Sequence, residues 1–202
     1  MKLYYSPGAC SLSPHIVLLE AGLPFTVEKT NLKSKKTESG VDYLTVNPKG
    51  SVPALQLDDG QVLTEGPAIV QYIADQKPES GLAPRAGTLE RYRLMEALNF
   101  ISSEVHKSFG PIFNPQASED WKKAAVDNLG KRFDWLSTHL AGRKFLLGET
   151  FTVADAYLFT VLSWTHHAGM DLAKWPVLEA YQARVGDRPK VQEALKAEGL
   201  IK

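Results

Sequence analysis

Residues 3–11, Leu-Tyr-Tyr-Ser-Pro-Gly-Ala-Cys-Ser, lead from a short apolar strand through a loop to the start of a helix. Proline and glycine break regular structure, so we predict a loop over 6–9 and a helix near 11–21. Cys10 lies where the unpaired N–H groups and the positive end of that helix dipole would favour a thiolate. We therefore expect an exposed thiol with a lowered pKa; the alternative is that a free cysteine is simply a small core residue.

The segments that follow this stretch alternate between strand-like and helix-like patterns as far as residue 76. Asp58-Asp59-Gly60, flanked by apolar pairs, indicates a tight hairpin. The predicted order is β-α-β, a connector, then β-β-α, with strands at 2–5, Phe25 to Thr30, 54–57 and 62–64, and helices near 11–21 and 67–75.

Beyond a Pro- and Gly-rich linker at 78–87, every segment has a helical pattern. We predict one long helix that ends at Gly110-Pro111, with apolar positions at Leu89, Tyr92, Leu98, Ile101 and Val105. Further helices are predicted from about Ser118 to His139, from Thr152 to about Ala168, and after Pro176 and Pro189. The chain is thus predicted to hold an α/β domain at 1–77 and an all-helical domain at 88–202.

The composition narrows the function classes. The chain has 23 Lys and Arg residues and 23 Asp and Glu residues, so it has no net charge that would attract nucleic acid or an anionic membrane. A small-molecule partner is therefore expected. One cysteine cannot form an internal disulfide, and Pro7 and Gly8 interrupt any signal-peptide core. No apolar stretch is long enough for a membrane span. We expect a cytoplasmic protein.

Two loops have residue types suited to binding a peptide-like ligand. Val52-Pro53 precedes a strand; were the bond cis, the backbone of Val52 would be free to pair with an extended ligand, but most such bonds are trans. In Thr64-Glu65-Gly66-Pro67, free amides at a helix start could hold a carboxylate while Glu65 takes an ammonium group. Alternatively, Glu65 only complements the helix dipole.

The histidines do not suggest a metal site. Five histidines and one cysteine have no metal-ligand spacing, so no metal is expected. His106, followed by Lys107, stands near a helix end, where it is either functional or merely favoured by the dipole. Thr152-Val153-Ala154-Asp155 fits a capping box, which we assign to folding.

Taken in order, these motifs resemble the cytosolic glutathione S-transferases over essentially the whole chain. The resemblance depends on residues 6–11, on Asn47-Pro48-Lys49-Gly50 before Val52-Pro53-Ala54-Leu55, on Glu65-Gly66 with the helix after it, and on the Thr152 to Asp155 box. Cys10 and His106-Lys107 resemble the bacterial beta class in particular. The resemblance implies a thioredoxin-like N-terminal domain, an all-helical domain with the dimer contacts and a hydrophobic acceptor site, and a homodimer that takes part in detoxification.

The resemblance also implies a glutathione site. Val52 would precede a cis-proline, Pro53, and pair with the cysteinyl part of glutathione. Glu65 and the amide of Gly66 match the γ-glutamyl site, although many relatives have serine at position 66, so only the amide contact carries over. The remaining candidates are Lys35 for the glycine carboxylate, and Asn99 and Glu104 contributed by the neighbouring subunit.

The implied reaction is attack of the glutathione thiolate on a hydrophobic electrophile, with glutathione as co-substrate and no other cofactor. The Cys10 amide and His106 would stabilise the thiolate, with Tyr5, Ser11 and Lys107 as possible supports. Candidates for the acceptor site are Phe109, Phe113, Trp164 and His167, each alternatively plain core. Two other functions stay open: Cys10-dependent thiol–disulfide exchange with glutathione, and ligand binding without turnover.

Overall fold

The computed structural model describes all 202 residues, Met1–Lys202, as two compact units. One unit comprises Met1–Ala83 together with Asp187–Lys202, and the other comprises Pro84–Gly186. These units differ from the predicted domains, because the last sixteen residues belong to the N-terminal unit and not to the helical one. A helical pattern identifies the last helix but does not reveal which core its apolar face packs against.

The N-terminal unit is built on a five-stranded sheet. Its strands are β1 (Lys2–Tyr5), β2 (Thr26–Asn31), β3 (Lys36–Thr37), β4 (Ala54–Gln56) and β5 (Val62–Thr64), in the order β3-β2-β1-β4-β5. β1 pairs with β2 in parallel, and every other pair is antiparallel. Leu3 of the central strand is completely buried, opposite Val27 and Leu55. The predicted thioredoxin-like fold is confirmed; the short β3 is additional.

Three helices complete this unit: α1 (Leu12–Ala21), α2 (Gly66–Gln76) and α8 (Pro189–Ala197). α1 packs against both α2 and α8. It buries Leu12, Ile16, Val17 and Leu18 almost completely, and each such side chain contributes roughly 1.5–3 kcal/mol of hydrophobic stabilisation. Arg188, just before α8, forms a bidentate ion pair with Glu20 at 2.7 and 2.9 Å, which attaches the end of the chain to α1.

The helical unit is centred on α6 (Val153–Leu162), whose ten residues are all buried. Around it lie α3 (Leu89–Phe100), the single-turn α4 (Gly110–Phe113), α5 (Glu119–Leu140) and α7 (Pro176–Gly186). The predicted capping box of α6 is present. Asp155 also accepts hydrogen bonds from the Leu146 amide and the Tyr181 hydroxyl, at 2.8 and 2.9 Å, so the box joins three segments.

The predicted single helix up to Gly110-Pro111 is wrong. After α3 the chain forms a π-turn over Ile101–Val105 and a 3-10 turn over His106–Phe109, and Pro111 lies in the first turn of α4. Of the apolar positions that predicted this helix, Leu89 and Tyr92 are exposed. No helix in the structure is both long and apolar enough to cross a bilayer.

Candidate active site

Cys10 lies in the loop between β1 and α1, beside the segment that precedes β4. The residue is partly buried, and its thiol donates a hydrogen bond to the Val52 carbonyl at 3.1 Å. The amides of Cys10 and Ser11 face the sulfur, as the sequence predicted, and they lower the pKa. Burial outweighs them, and the Glu65 carboxylate adds to its effect, so the pKa of Cys10 is raised to about 11. The expectation of an exposed thiol with a lowered pKa is therefore wrong.

Only the amide of Ser11, and not its hydroxyl, faces the Cys10 sulfur, and the Tyr5 ring packs against His15 instead. The Ser11 hydroxyl is fully buried; it donates to the Ser6 carbonyl and accepts from the Ser6 amide, so it serves the loop itself. Tyr5 is buried on the opposite sheet face from Tyr4, with its ring 6.0 Å from His15. Burial, followed by the carboxylate of Glu198, raises the pKa of Tyr5.

The segment before β4 is held by side chains on both sides. The Val52-Pro53 bond is cis, as the resemblance implied. The Ser51 carbonyl accepts from the Tyr43 hydroxyl at 2.8 Å and from the Asn47 side-chain amide at 2.7 Å, and the Gly50 carbonyl accepts from Lys35 Nζ at 2.7 Å. The carbonyls of Gly50 and Ser51 are thus both hydrogen-bonded, whereas the Val52 N–H has no acceptor in the chain.

Lys35 is the member of the predicted basic loop that reaches this segment. Its φ is +54°, a left-handed conformation that is uncommon for a residue with a side chain. The neighbouring Lys33 and Lys36 are exposed to solvent, whereas Lys35 is half-buried. The structure thus brings Lys35 and Val52 into one region, as their candidate roles require.

The turn before α2 carries Glu65 and Gly66. Glu65 has φ +70°, and its side chain is 68% exposed. The Gly66 amide, at the first position of α2, has no acceptor in the chain. Lys49 was not identified as a site residue from the sequence, yet its Nζ lies 2.6 Å from Glu65 Oε1 and 2.9 Å from Thr64 Oγ1. Its place in the Asn47-Pro48-Lys49-Gly50 motif was the only sequence signal.

In the helical unit, His106 follows the π-turn. Its Nδ1 lies 2.7 Å from the Tyr157 hydroxyl, and its ring contacts that of Trp164 at 4.8 Å between centroids. Burial and then the charge of Lys107 lower the pKa of His106 to about 4, so the imidazole is neutral at physiological pH. No partner in the chain engages its other nitrogen, Nε2.

The four predicted acceptor-site residues form one aromatic cluster. Phe109 stacks on Phe113 at 5.9 Å, Trp164 contacts both rings at 5.6 and 5.7 Å, and His167 contacts Phe113 at 5.8 Å. Phe109 is completely buried and Trp164 nearly so, which makes these two the base of the cluster. Phe113 is 49% exposed.

An open pocket of about 700 Å³ lies beside this cluster, within the helical unit. His106, Lys107 and Phe113 line it, together with Trp121 of α5, which is 55% exposed and was not a sequence candidate. Its other lining residues are Ser103, Ser108, Gly110, Pro111, Ala124, Ala125 and Asn128.

Asn99 and Glu104 lie on the same helical unit. Asn99 is exposed, and Glu104 Oε2 forms an ion pair with Arg132 Nη2 at 2.6 Å. The structure contains no group of three or more His, Cys, Asp or Glu side chains arranged to hold a metal ion.

Comparison with known proteins identifies the family. Residues 8–76 match the model of the glutathione S-transferase N-terminal domain, and residues 119–184 match that of the C-terminal domain. A curated relative, glutathione S-transferase GstA of Escherichia coli O157:H7, is 46% identical over 200 residues, which cover 99% of this chain and 100% of GstA. The chain belongs to the glutathione S-transferase family. The predicted family and enzyme class are confirmed, and this protein is a glutathione transferase.

Solved structures extend the similarity to the beta class. BphK, a bacterial glutathione S-transferase described as a ternary complex, is 59% identical to this transferase, with a TM-score of 0.97 over 98% of this chain and 100% of BphK. The bacterial beta-class enzyme of Sphingomonas chungbukensis is 52% identical, with a TM-score of 0.97 over all of both chains. The resemblance to the beta class is thereby confirmed.

Proposed function

We propose that this transferase binds glutathione on its N-terminal unit and conjugates the glutathione sulfur to hydrophobic electrophiles, as a detoxifying enzyme. The observation that carries this proposal is the contrast between a protonated Cys10 and open ligand-binding groups nearby. The Cys10 thiol is bonded to the Val52 carbonyl, whereas the Val52 N–H, the Gly66 amide and one oxygen of Glu65 have no partner in the chain. A peptide with an amino acid head fits these groups.

In the proposed complex, each part of glutathione has one partner. The cysteinyl part pairs with the Val52 backbone next to cis-Pro53, the γ-glutamyl head lies at Glu65 and Gly66, and Lys35 attracts the glycine carboxylate. Lys35 already donates to the Gly50 carbonyl, and an ammonium group has three donors, so it can keep that bond and still donate to a carboxylate.

The thiolate of glutathione then needs donors that stabilise negative charge. The Cys10 and Ser11 amides lower the pKa of the Cys10 sulfur in the free chain, so they are oriented to act on a sulfur atom. His106 is the second proposed donor. If the Tyr157 hydroxyl donates to Nδ1, the proton of the neutral ring lies on Nε2, which can donate to an anion. Lys107, exposed beside it, adds positive charge.

Thiol–disulfide exchange by Cys10 is the less favoured function, because exchange requires the thiolate. With a pKa of about 11, roughly one Cys10 in ten thousand is ionised at pH 7. Only one cysteine is present, so any exchange would follow a monothiol route.

The decisive experiment compares Cys10→Ala with the wild type in two assays, each with glutathione: 1-chloro-2,4-dinitrobenzene for conjugation and 2-hydroxyethyl disulfide for exchange. We expect the variant to retain much of its conjugation activity, because the amide donors remain. Ser13→Ala, a small change at a buried position of α1, is the matched control. Complete loss of conjugation in Cys10→Ala, with activity retained in Ser13→Ala, would contradict the proposal and favour a nucleophilic Cys10.

The acceptor is proposed to bind at the aromatic cluster and its adjoining pocket. Exposed Phe113 and Trp121 supply the apolar surface, and neutral His106 adds a polarisable ring without a charge. Phe113→Ala is expected to raise the KM for the electrophile several-fold while the KM for glutathione stays unchanged. Equal effects on both constants would show that Phe113 serves only the fold.

We further propose that the enzyme is a cytoplasmic homodimer in which Asn99 and Glu104 reach the glutathione of the neighbouring subunit. Asn99 is exposed, and the ion pair with Arg132 orients Glu104. Light scattering tests the dimer. A heterodimer of Asn99→Ala with Glu65→Ala chains then distinguishes the two cases: one glutathione site stays intact if Asn99 acts on the partner, and none stays intact if it acts on its own subunit.

A further inference from the structure

Lys49 lies at the turn before α2 with more bonding capacity than the chain uses. Its ammonium group donates to Glu65 Oε1 at 2.6 Å and to Thr64 Oγ1 at 2.9 Å, and a lysine ammonium has three donors. One donor is therefore free. The side chain is 55% exposed, so this donor is accessible to a ligand.

Glu65 is likewise only half used. Lys49 takes Oε1, whereas Oε2 has no partner in the chain. The carboxylate can therefore accept an ammonium group on Oε2 without losing Lys49. The Gly66 amide adds a further free donor at the start of α2.

The arrangement thus offers an open carboxylate oxygen beside an open ammonium donor and an open amide. An α-amino acid head is a zwitterion in which an ammonium and a carboxylate are attached to one carbon. Its ammonium fits Glu65, and its carboxylate then falls among cationic or N–H donors. A site with Glu65 alone would recognise the ammonium but would repel the carboxylate.

We propose that Lys49 recognises the α-carboxylate of the γ-glutamyl head, and so determines the specificity of this site for a complete amino acid head. This inference rests on the proposed function and adds a residue to the glutathione site. The loop carrying Lys49 is fixed: its backbone N–H donates to Asn47 Oδ1 at 3.1 Å, and Asn47 also holds the Ser51 carbonyl. Lys49 is therefore positioned before the ligand arrives.

A different role for Lys49 would have the opposite consequence. If Lys49 only neutralised Glu65, it would compete with the ligand ammonium, and its removal would strengthen glutathione binding. The two roles predict changes of opposite sign, so a single variant distinguishes them.

The test measures calorimetric dissociation constants of wild type and Lys49→Met for glutathione and for 4-aminobutyryl-cysteinylglycine, which lacks only the α-carboxylate. We expect Lys49→Met to weaken glutathione binding about 3- to 5-fold, the upper part of the range for an exposed charge contact, and to leave binding of the analogue nearly unchanged. Lys49→Arg should retain most of the discrimination. Lys36→Met, which removes the same charge from an exposed position in β3, is the control and should change neither constant.

Equal weakening for both peptides would overturn the proposal, and so would tighter binding of glutathione by Lys49→Met. Failure of the proposed function looks different, because the wild type itself would then bind neither peptide. The circular dichroism spectrum and the melting temperature of Lys49→Met check that the fold is intact, so that any loss is assigned to the contact.

Discussion

Alkylation of Cys10 offers a direct test of its protonation state, because the chain contains no other thiol. The thiolate is the reactive form, so the rate with iodoacetamide follows the ionised fraction. Burial raises the pKa of Cys10 from the ordinary value of 9.0 to about 11. At pH 7 the ionised fraction falls from about one in a hundred to about one in ten thousand. We expect the folded protein to react about 100-fold more slowly than the same chain in urea.

The assay follows adduct formation by mass spectrometry between pH 6 and 9.5, in the native state and in urea. The native rate should rise about tenfold per pH unit throughout, whereas the rate in urea should begin to level near pH 9. Restricted access to the sulfur would also slow the native reaction but would not move the pH at which the rate levels. A native plateau below pH 8, or a native rate as fast as that in urea, would refute the reasoning and restore the exchange mechanism.

Three further changes test other parts of the structure. The pKa of His106 in the folded protein is about 4, below its ordinary 6.5, so the neutral ring contributes stability above pH 6.5 that is lost as the pH falls toward 4. His106→Asn should reduce this loss of stability. The measurement is the urea midpoint of the variant and the wild type at pH 4.5 and pH 7. Gly66→Ser should be tolerated by the fold, since the added Cβ meets only Pro53 Cγ at 4.0 Å. The serine hydroxyl should tighten glutathione binding about 2- to 5-fold, as measured by calorimetry. Weaker binding would count against the proposed γ-glutamyl site. Thr152→Ala should lower the free energy of unfolding by about 1 kcal/mol or somewhat more, without changing KM, and an unaltered denaturation midpoint would contradict the role given to the capping box.

Much of the fold could be predicted from the sequence because the signals for it are local. Asp58-Asp59-Gly60 predicts the β4–β5 hairpin, which the structure contains, and the Thr152 to Asp155 box marks the start of α6. The aromatic cluster could also be proposed from helical spacing, although only contacts show that Phe109 is buried and Phe113 open. The π-turn at Ile101–Val105 has no comparable signal, because an apolar pattern does not reveal one extra residue in a turn.

The electrostatics of the site depend on contacts that the sequence does not show. The amides near Cys10 are neighbours in the chain and could be predicted. The burial that outweighs them could not, nor could the hydrogen bond from the thiol to the carbonyl of Val52, which lies 42 positions along the chain. Lys49 and Glu65 are sixteen positions apart, so their ion pair exists only once β4 and β5 have formed. Local sequence therefore identified the amide donors near Cys10, but not the burial that outweighs them or the ion pair between Lys49 and Glu65.

The loop before β4 illustrates how folding prepares a surface for a ligand. Tyr43, Asn47 and Lys35 fix the carbonyls of Gly50 and Ser51, so the conformational entropy of this segment is already lost in the free chain. A peptide that pairs with Val52 must then give up only its own freedom and not that of the loop. Preorganisation of this kind lets a small, flexible tripeptide bind through a few weak contacts.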